Sequence, residues 1–140
     1  MNKKFKILTN FIKDMSSETP DVQSYLFVKE NISKYNLNIN ITSKPLKNRM
    51  IEVSTILKFE DKNLNKKRSN FEIVYISIIK IDESVKNKKE IEKIVICDLQ
   101  NRIYPKIEKI FLNILDLSGF PGVKIEKKID FNKLYNERND

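Results

Sequence analysis

The chain of 140 residues has no long Pro/Gly/Ser-rich linker, so its length predicts one domain over residues 1–140 with short flexible termini. Its formal charge of +8 permits an anionic partner, but the lysines are scattered among acids and do not demand one. The lack of histidine excludes imidazole-based catalysis and histidine zinc sites, and the lone cysteine, Cys97, excludes an intramolecular disulfide and a multi-cysteine metal cluster.

The opening stretch MNKKFKILTNFIKDMSSE carries only a brief apolar run broken by Lys13 and Asp14, unlike a signal peptide, and no later run approaches membrane-spanning length. A soluble cytoplasmic protein with no membrane span is the expectation. Phe5, Ile7, Thr9 and Phe11 are expected on one face of a first strand, with Leu8 and Ile12 opposite and MSSETPD ending it. After Pro20, the residues Val22, Tyr25, Leu26, Phe27 and Val28 lack clean alternation and the length of a persuasive helix. An irregular apolar crossing or a short edge strand is expected there.

Leu37, Ile39 and Ile41 alternate with polar residues as in a half-buried strand, and Lys44-Pro45 through Asn48-Arg49 supply a turn. Ile51, Val53, Thr55, Leu57 and Phe59 form the apolar row of the next strand. Asp61 to Asn70 reads as a basic hairpin tip. In FEIVYISIIKI, Phe71, Ile73, Tyr75, Ile79 and Ile81 occupy one parity while Val74, Ile76 and Ile78 occupy the other. Helices can cover one face of such a sheet, which leaves the second face for another element or another subunit.

DESVKNKKE reads as a solvent-facing lead-in, followed by a helical region around Ile91, Ile94 and Val95. Ile103, Ile107, Ile110, Phe111, Ile114, Leu115 and Leu117 then recur at helical spacing, predicting an amphipathic helix over 101–118, about 27 Å long. Pro105 is expected in its first turn, Gly119 at its stop, and Pro121 beyond. Asp130 is expected to cap a short terminal helix containing Phe131, Leu134 and Tyr135. The fold class that follows is α+β, an antiparallel sheet of four strands with C-terminal helices.

No catalytic constellation emerges, and the chain reads as a non-enzyme without metal or cofactor. Glu18/Asp21, Asp61, Asp82/Glu83 and Glu90/Glu92 read as ordinary solvated carboxylates. Lys66, Lys67 and Arg68, and separately Lys86, Lys88 and Lys89, could attract an anion. They have no glycine-rich cradle, so a basic nucleic-acid-binding module is the competing function. Binding of an extended apolar chain fits better, in a groove whose candidate walls are Leu26, Phe27, Ile103 and Tyr104.

The stretch IYPKIEKIFLNILDLSGFP, followed by IDFNKLY, resembles the bacterial protein-export chaperone SecB family. The resemblance extends upstream through FIKDMSSETP and covers roughly Phe5 to Tyr135. It implies a SecB-like α+β subunit assembled as a homotetramer, a dimer of dimers. It also implies an ATP-independent chaperone that keeps unfolded precursor proteins translocation-competent and delivers them to SecA. Asp14 and Glu18 match positions where acidic groups of the family receive SecA, and Glu72 is the carboxylate nearest to Val74, where the family carries another. A specialised SecB-like holdase serving another client system is a second reading of the same resemblance.

Overall fold

The computed structural model describes residues 4–61, 69–125 and 128–138. The tip residues Lys66, Lys67 and Arg68 lie outside the described residues. The chain forms β1 (Phe5–Glu18), α1 (Val22–Asn31), β2 (Asn36–Pro45), β3 (Met50–Glu60), β4 (Asn70–Ile81), α2 (Lys88–Lys93), α3 (Leu99–Leu117) and α4 (Phe131–Arg138). The four strands form one sheet in the order β1-β4-β3-β2, every pair antiparallel. The α+β class, the four-stranded antiparallel sheet and the C-terminal helices match the expectation.

Alternation within the strands builds the core. Phe71, Ile73, Tyr75, Ser77, Ile79 and Ile81 of β4 are buried beside Val53, Thr55, Leu57 and Phe59 of β3. Ile107, Phe111 and Leu115 of α3 are fully buried in the same core, where Phe59 and Phe111 meet edge to face at 5.2 Å between ring centroids. Each such side chain contributes about 2 kcal/mol over leaving it in water. Gln100 is a polar residue buried in this core: its Nε2 lies 3.0 Å from Thr55 Oγ1 and 3.3 Å from the Val95 carbonyl, so its burial leaves it partnered. On the other face, Val74, Ile78 and Ile56 are half-buried and Phe11 is exposed.

Several local expectations are corrected. Strand β1 runs to Glu18 through the polar residues expected to end it, because its backbone keeps pairing with β4 as far as Asn70. Register shifts at Leu8 and Lys13 also change its parity: Phe5 and Ile7 align with the core row at Ile81 and Ile79, whereas Thr9 and Phe11 align with Ile78 and Ile76 on the other face. The crossing after Pro20 is a helix, α1, not an irregular segment or strand. Val85, expected in a solvent-facing lead-in, is buried.

Pro105 is not in a first turn. Helix α2, a π-helical turn over Ile94–Asp98 and α3 follow one another without a break, which places Pro105 in the interior of α3. Its ring cannot donate to the carbonyl four residues earlier. The buried residues of the π turn, Ile94 to Cys97, anchor this stretch from the other side. At the far end the stop is as expected: Gly119 adopts φ 94°, with Phe120 N donating to Leu115 O at 2.8 Å and Gly119 N to Asp116 O at 3.2 Å. Those paired bonds satisfy the last carbonyls of the helix. Helix α4 begins as expected, with Asp130 Oδ1 accepting from Lys133 N at 3.1 Å.

Candidate functional site

Helix α1 crosses between the sheet's first two strands in sequence, and its ends explain its placement. The Asp21 carboxylate accepts from Ser24 N at 2.7 Å and caps the helix. Bonds from the Ser24 backbone and then its hydroxyl hold Asp21 below the ordinary carboxylate range. Val28 is fully buried, and Tyr25 stacks at 5.1 Å on Phe120 while its hydroxyl donates to Gly119 O at 2.7 Å. These anchors fix α1 against the C-terminal end of α3. They leave Val22 at 73%, Leu26 at 56% and Phe27 at 39% exposure, and Leu117 in α3 is also exposed.

Ile103 and Tyr104 occupy the other half of α3, with Tyr104 and Leu117 roughly 20 Å apart along the axis. Ile103 is a core residue, and Tyr104 packs edge-on against Phe131 of α4 at 5.4 Å. The four proposed wall residues therefore divide between two places, Leu26 and Phe27 on the surface of α1, and Ile103 and Tyr104 in the first half of α3, where Tyr104 meets α4. A groove of about 440 Å³ opens over Tyr104, lined also by Pro105, Leu112, Ile129 and Phe131, with Lys109, Lys128 and Glu108 among its polar lining residues. The Tyr104 hydroxyl is buried and has no hydrogen-bond partner among the described residues. Burial, with the neighbouring Glu108 charge, pushes this phenol up to about 12, so at neutral pH it keeps its proton and is a donor.

Sequence reasoning missed the contribution of Phe131 and Ile129 to this groove. The spacing of Asp130 and Phe131 announced a capped helix but not where that helix docks. The missed signal for α1 was Asp21, an N-cap residue directly after Pro20.

The three carboxylates of interest come together. Asp14 pairs with Val74, Ser16 with Glu72 and Glu18 with Asn70. This register puts Asp14, Glu18 and Glu72 on the sheet face away from the helices, with Glu72 level with the gap between the two β1 acids. Lys58 approaches Glu72 only at 4.0 Å, and both side chains are substantially exposed. At the other end of this face Lys6 stands opposite Lys80, and Phe11, Val74, Ile76 and Ile78 lie between the charged ends.

The strip between β1 and α3 is a further uncovered surface. Arg102 stacks over the Phe5 ring at 5.2 Å at one end, and Ser17 Oγ meets Ser118 Oγ at 2.6 Å at the other, so the two elements run side by side in one direction. Ile12 and Met15 face the helix layer in register with Tyr75 and Ile73, yet remain exposed. Among the described residues no group of three or more potential metal ligands occurs, and no helix is long and apolar enough to cross a membrane. Lys86, Lys88 and Lys89 are exposed around the start of α2.

The family model of the preprotein translocase subunit SecB matches residues 1–140. A SecB relative from Pelagibacter ubique (strain HTCC1062) is 59% identical over 138 residues, 99% of each chain. The protein-export protein SecB of Bartonella quintana (strain Toulouse) is 25% identical over 134 residues, 96% of this chain and 83% of that one. Among solved structures, the SecB-like chaperone Rv1957 of Mycobacterium tuberculosis, in complex with a ChAD peptide from the Rv1956 HigA1 antitoxin, superposes with a TM-score of 0.60. That match covers 89% of this chain and 91% of the other at 9% identity, which establishes a shared fold.

Proposed function

We propose, from the premise that this chain belongs to the SecB family, a mechanism in which exposed apolar side chains capture unfolded precursors and an acidic sheet face engages the export motor SecA. The protein is a SecB-type export chaperone acting in the cytoplasm, and it is not an enzyme. Capture needs no nucleotide. Burial of client side chains against Val22, Leu26 and Phe27, and in the groove over Tyr104 beside the core residue Ile103, favours binding, and the lack of sequence-matched contacts permits release.

The observation that carries this reading is the large apolar side chains left exposed on α1, Val22, Leu26 and Phe27. Such a patch on a soluble chain marks an interaction surface. An apolar dye that fluoresces on binding and is displaced by an unfolded peptide tests it. A folded preparation that binds neither dye nor unfolded chains contradicts it.

For delivery, Asp14, Glu18 and Glu72 are the proposed SecA contacts. Their shared face with the apolar row of Phe11, Ile76 and Ile78 supports the proposal by offering a charged end beside an apolar centre.

The proposed working assembly is a homotetramer, a dimer of dimers. It is supported by the open edge of β1 and by Ile12, Met15 and Leu117, which a second copy would cover. Native mass measurement should find four chains, and a stable monomer would rule the assembly out.

A further inference from the structure

The groove over Tyr104 has a chemistry of its own. Its floor is apolar, formed by Tyr104, Pro105, Leu112, Ile129 and Phe131, and its volume of about 440 Å³ suits one or two large side chains. The two lysines that line it, Lys109 and Lys128, are exposed, and among the described lining residues the carboxylate is that of Glu108. Tyr104, a lining residue only 8% exposed, carries a buried phenolic hydroxyl with no partner among the described residues. A buried donor left unmade is unfavourable, and a client acceptor that reaches it would satisfy it.

We infer that this groove is a client subsite selecting apolar segments flanked by carboxylates, with Lys109 and Lys128 receiving the acidic flank and the Tyr104 hydroxyl donating to a client carbonyl. The inference rests on the capture function proposed above and adds its specificity. The overall charge of +8 acts in the same direction, raising the local concentration of acidic segments before contact.

The chain contains no tryptophan, so a short unstructured peptide carrying one tryptophan among leucines gives an unobstructed fluorescence signal. Two versions, flanked by aspartates or by lysines around the same apolar centre, are titrated into the full-length protein at low salt. The acidic version should bind roughly fivefold tighter, and the difference should shrink as salt rises. The double substitution Lys109→Glu with Lys128→Glu, both on exposed positions, should reverse the order.

Tyr104→Phe separates a binding role from a structural one. It removes an unsatisfied buried hydroxyl, so the melting temperature should hold or rise, while affinity for both peptides should fall roughly fivefold. Equal binding of the two peptides by the unaltered protein, an order unmoved by the double substitution, or Tyr104→Phe binding unchanged would each overturn the subsite. If neither peptide binds, and unfolded precursor does not bind either, the capture function itself fails.

Discussion

The phenol of Tyr25 donates to the Gly119 carbonyl across 2.7 Å, and a Cβ on residue 119 would come within 2.7 Å of the same ring. One glycine thus ends α3 and seats α1. Its φ of 94° strains any other residue, and the ring leaves no space for a side chain. Gly119→Ala should therefore destabilise the fold by about 2 to 4 kcal/mol, while Tyr25→Phe, which loses only the hydrogen bond, should cost about 1 kcal/mol. Urea denaturation of the two variants checks the ordering, and equal losses would mean that the close approach is not what fixes α1.

The exposed side chains of α1 should matter for capture and not for folding. Val22→Ser with Leu26→Ser changes residues at 73% and 56% exposure, so unfolding free energy should stay within about 0.5 kcal/mol. Affinity for an unfolded precursor should fall roughly tenfold, on the order of the apolar area removed from the contact. A loss of stability without a loss of affinity would place these residues in the fold and not in the site.

Neutralising the acidic face should separate the two partners. Asp14→Asn, Glu18→Gln and Glu72→Gln together remove three negative charges from one end of that sheet face while leaving α1 and the groove untouched. SecA association measured by calorimetry should weaken at least roughly tenfold, with client affinity changed by less than about twofold. The Lys58–Glu72 pair at 4.0 Å is too long and too exposed for its loss to disturb the fold. Equal retention of both activities would remove these acids from the partner surface.

Tyr104 predicts an alkaline limb in stability. Its phenol is held at about 12 by burial and by Glu108, against about 10 for an unfolded tyrosine. Between those values the folded state keeps a proton that the unfolded chain has lost, so the stabilisation is complete below about pH 10 and declines as pH rises toward 12. The effect is on the order of 2 kcal/mol, and Tyr104→Phe should flatten that part of the denaturation profile. Tyr75, also raised by burial, should leave a smaller slope in the variant.

The legible parts of this molecule are those where the pattern is local. Ile51 to Phe59 and Phe71 to Ile81 announce their strands by alternation, and Gly119 and Asp130 announce a stop and a cap through backbone chemistry. Helix α1 is hidden because its apolar residues point in several directions: Tyr25 and Val28 are anchored inward while Val22 and Leu26 remain in water. The shifts at Leu8 and Lys13 carry no glycine or proline to mark them, so the turning of Phe11 to the outer face is set by pairing with β4. Pro105 suggested a beginning because proline is tolerated there, whereas the buried turn from Ile94 to Cys97 carries the helix through it. Among the site residues, the acids at Asp14, Glu18 and Glu72 meet because of strand register. The groove depends on Phe131 meeting Tyr104 from a distant element, a tertiary relation that spacing does not encode.

The most direct test of the account is the refolding of a denatured export precursor, followed by its activity or light scattering, with increasing amounts of this protein and no nucleotide present. The account predicts that refolding and aggregation both slow in proportion to the protein added, and that Val22→Ser with Leu26→Ser weakens the effect. Refolding and aggregation that proceed at unchanged rates in the presence of excess, correctly folded protein would contradict it.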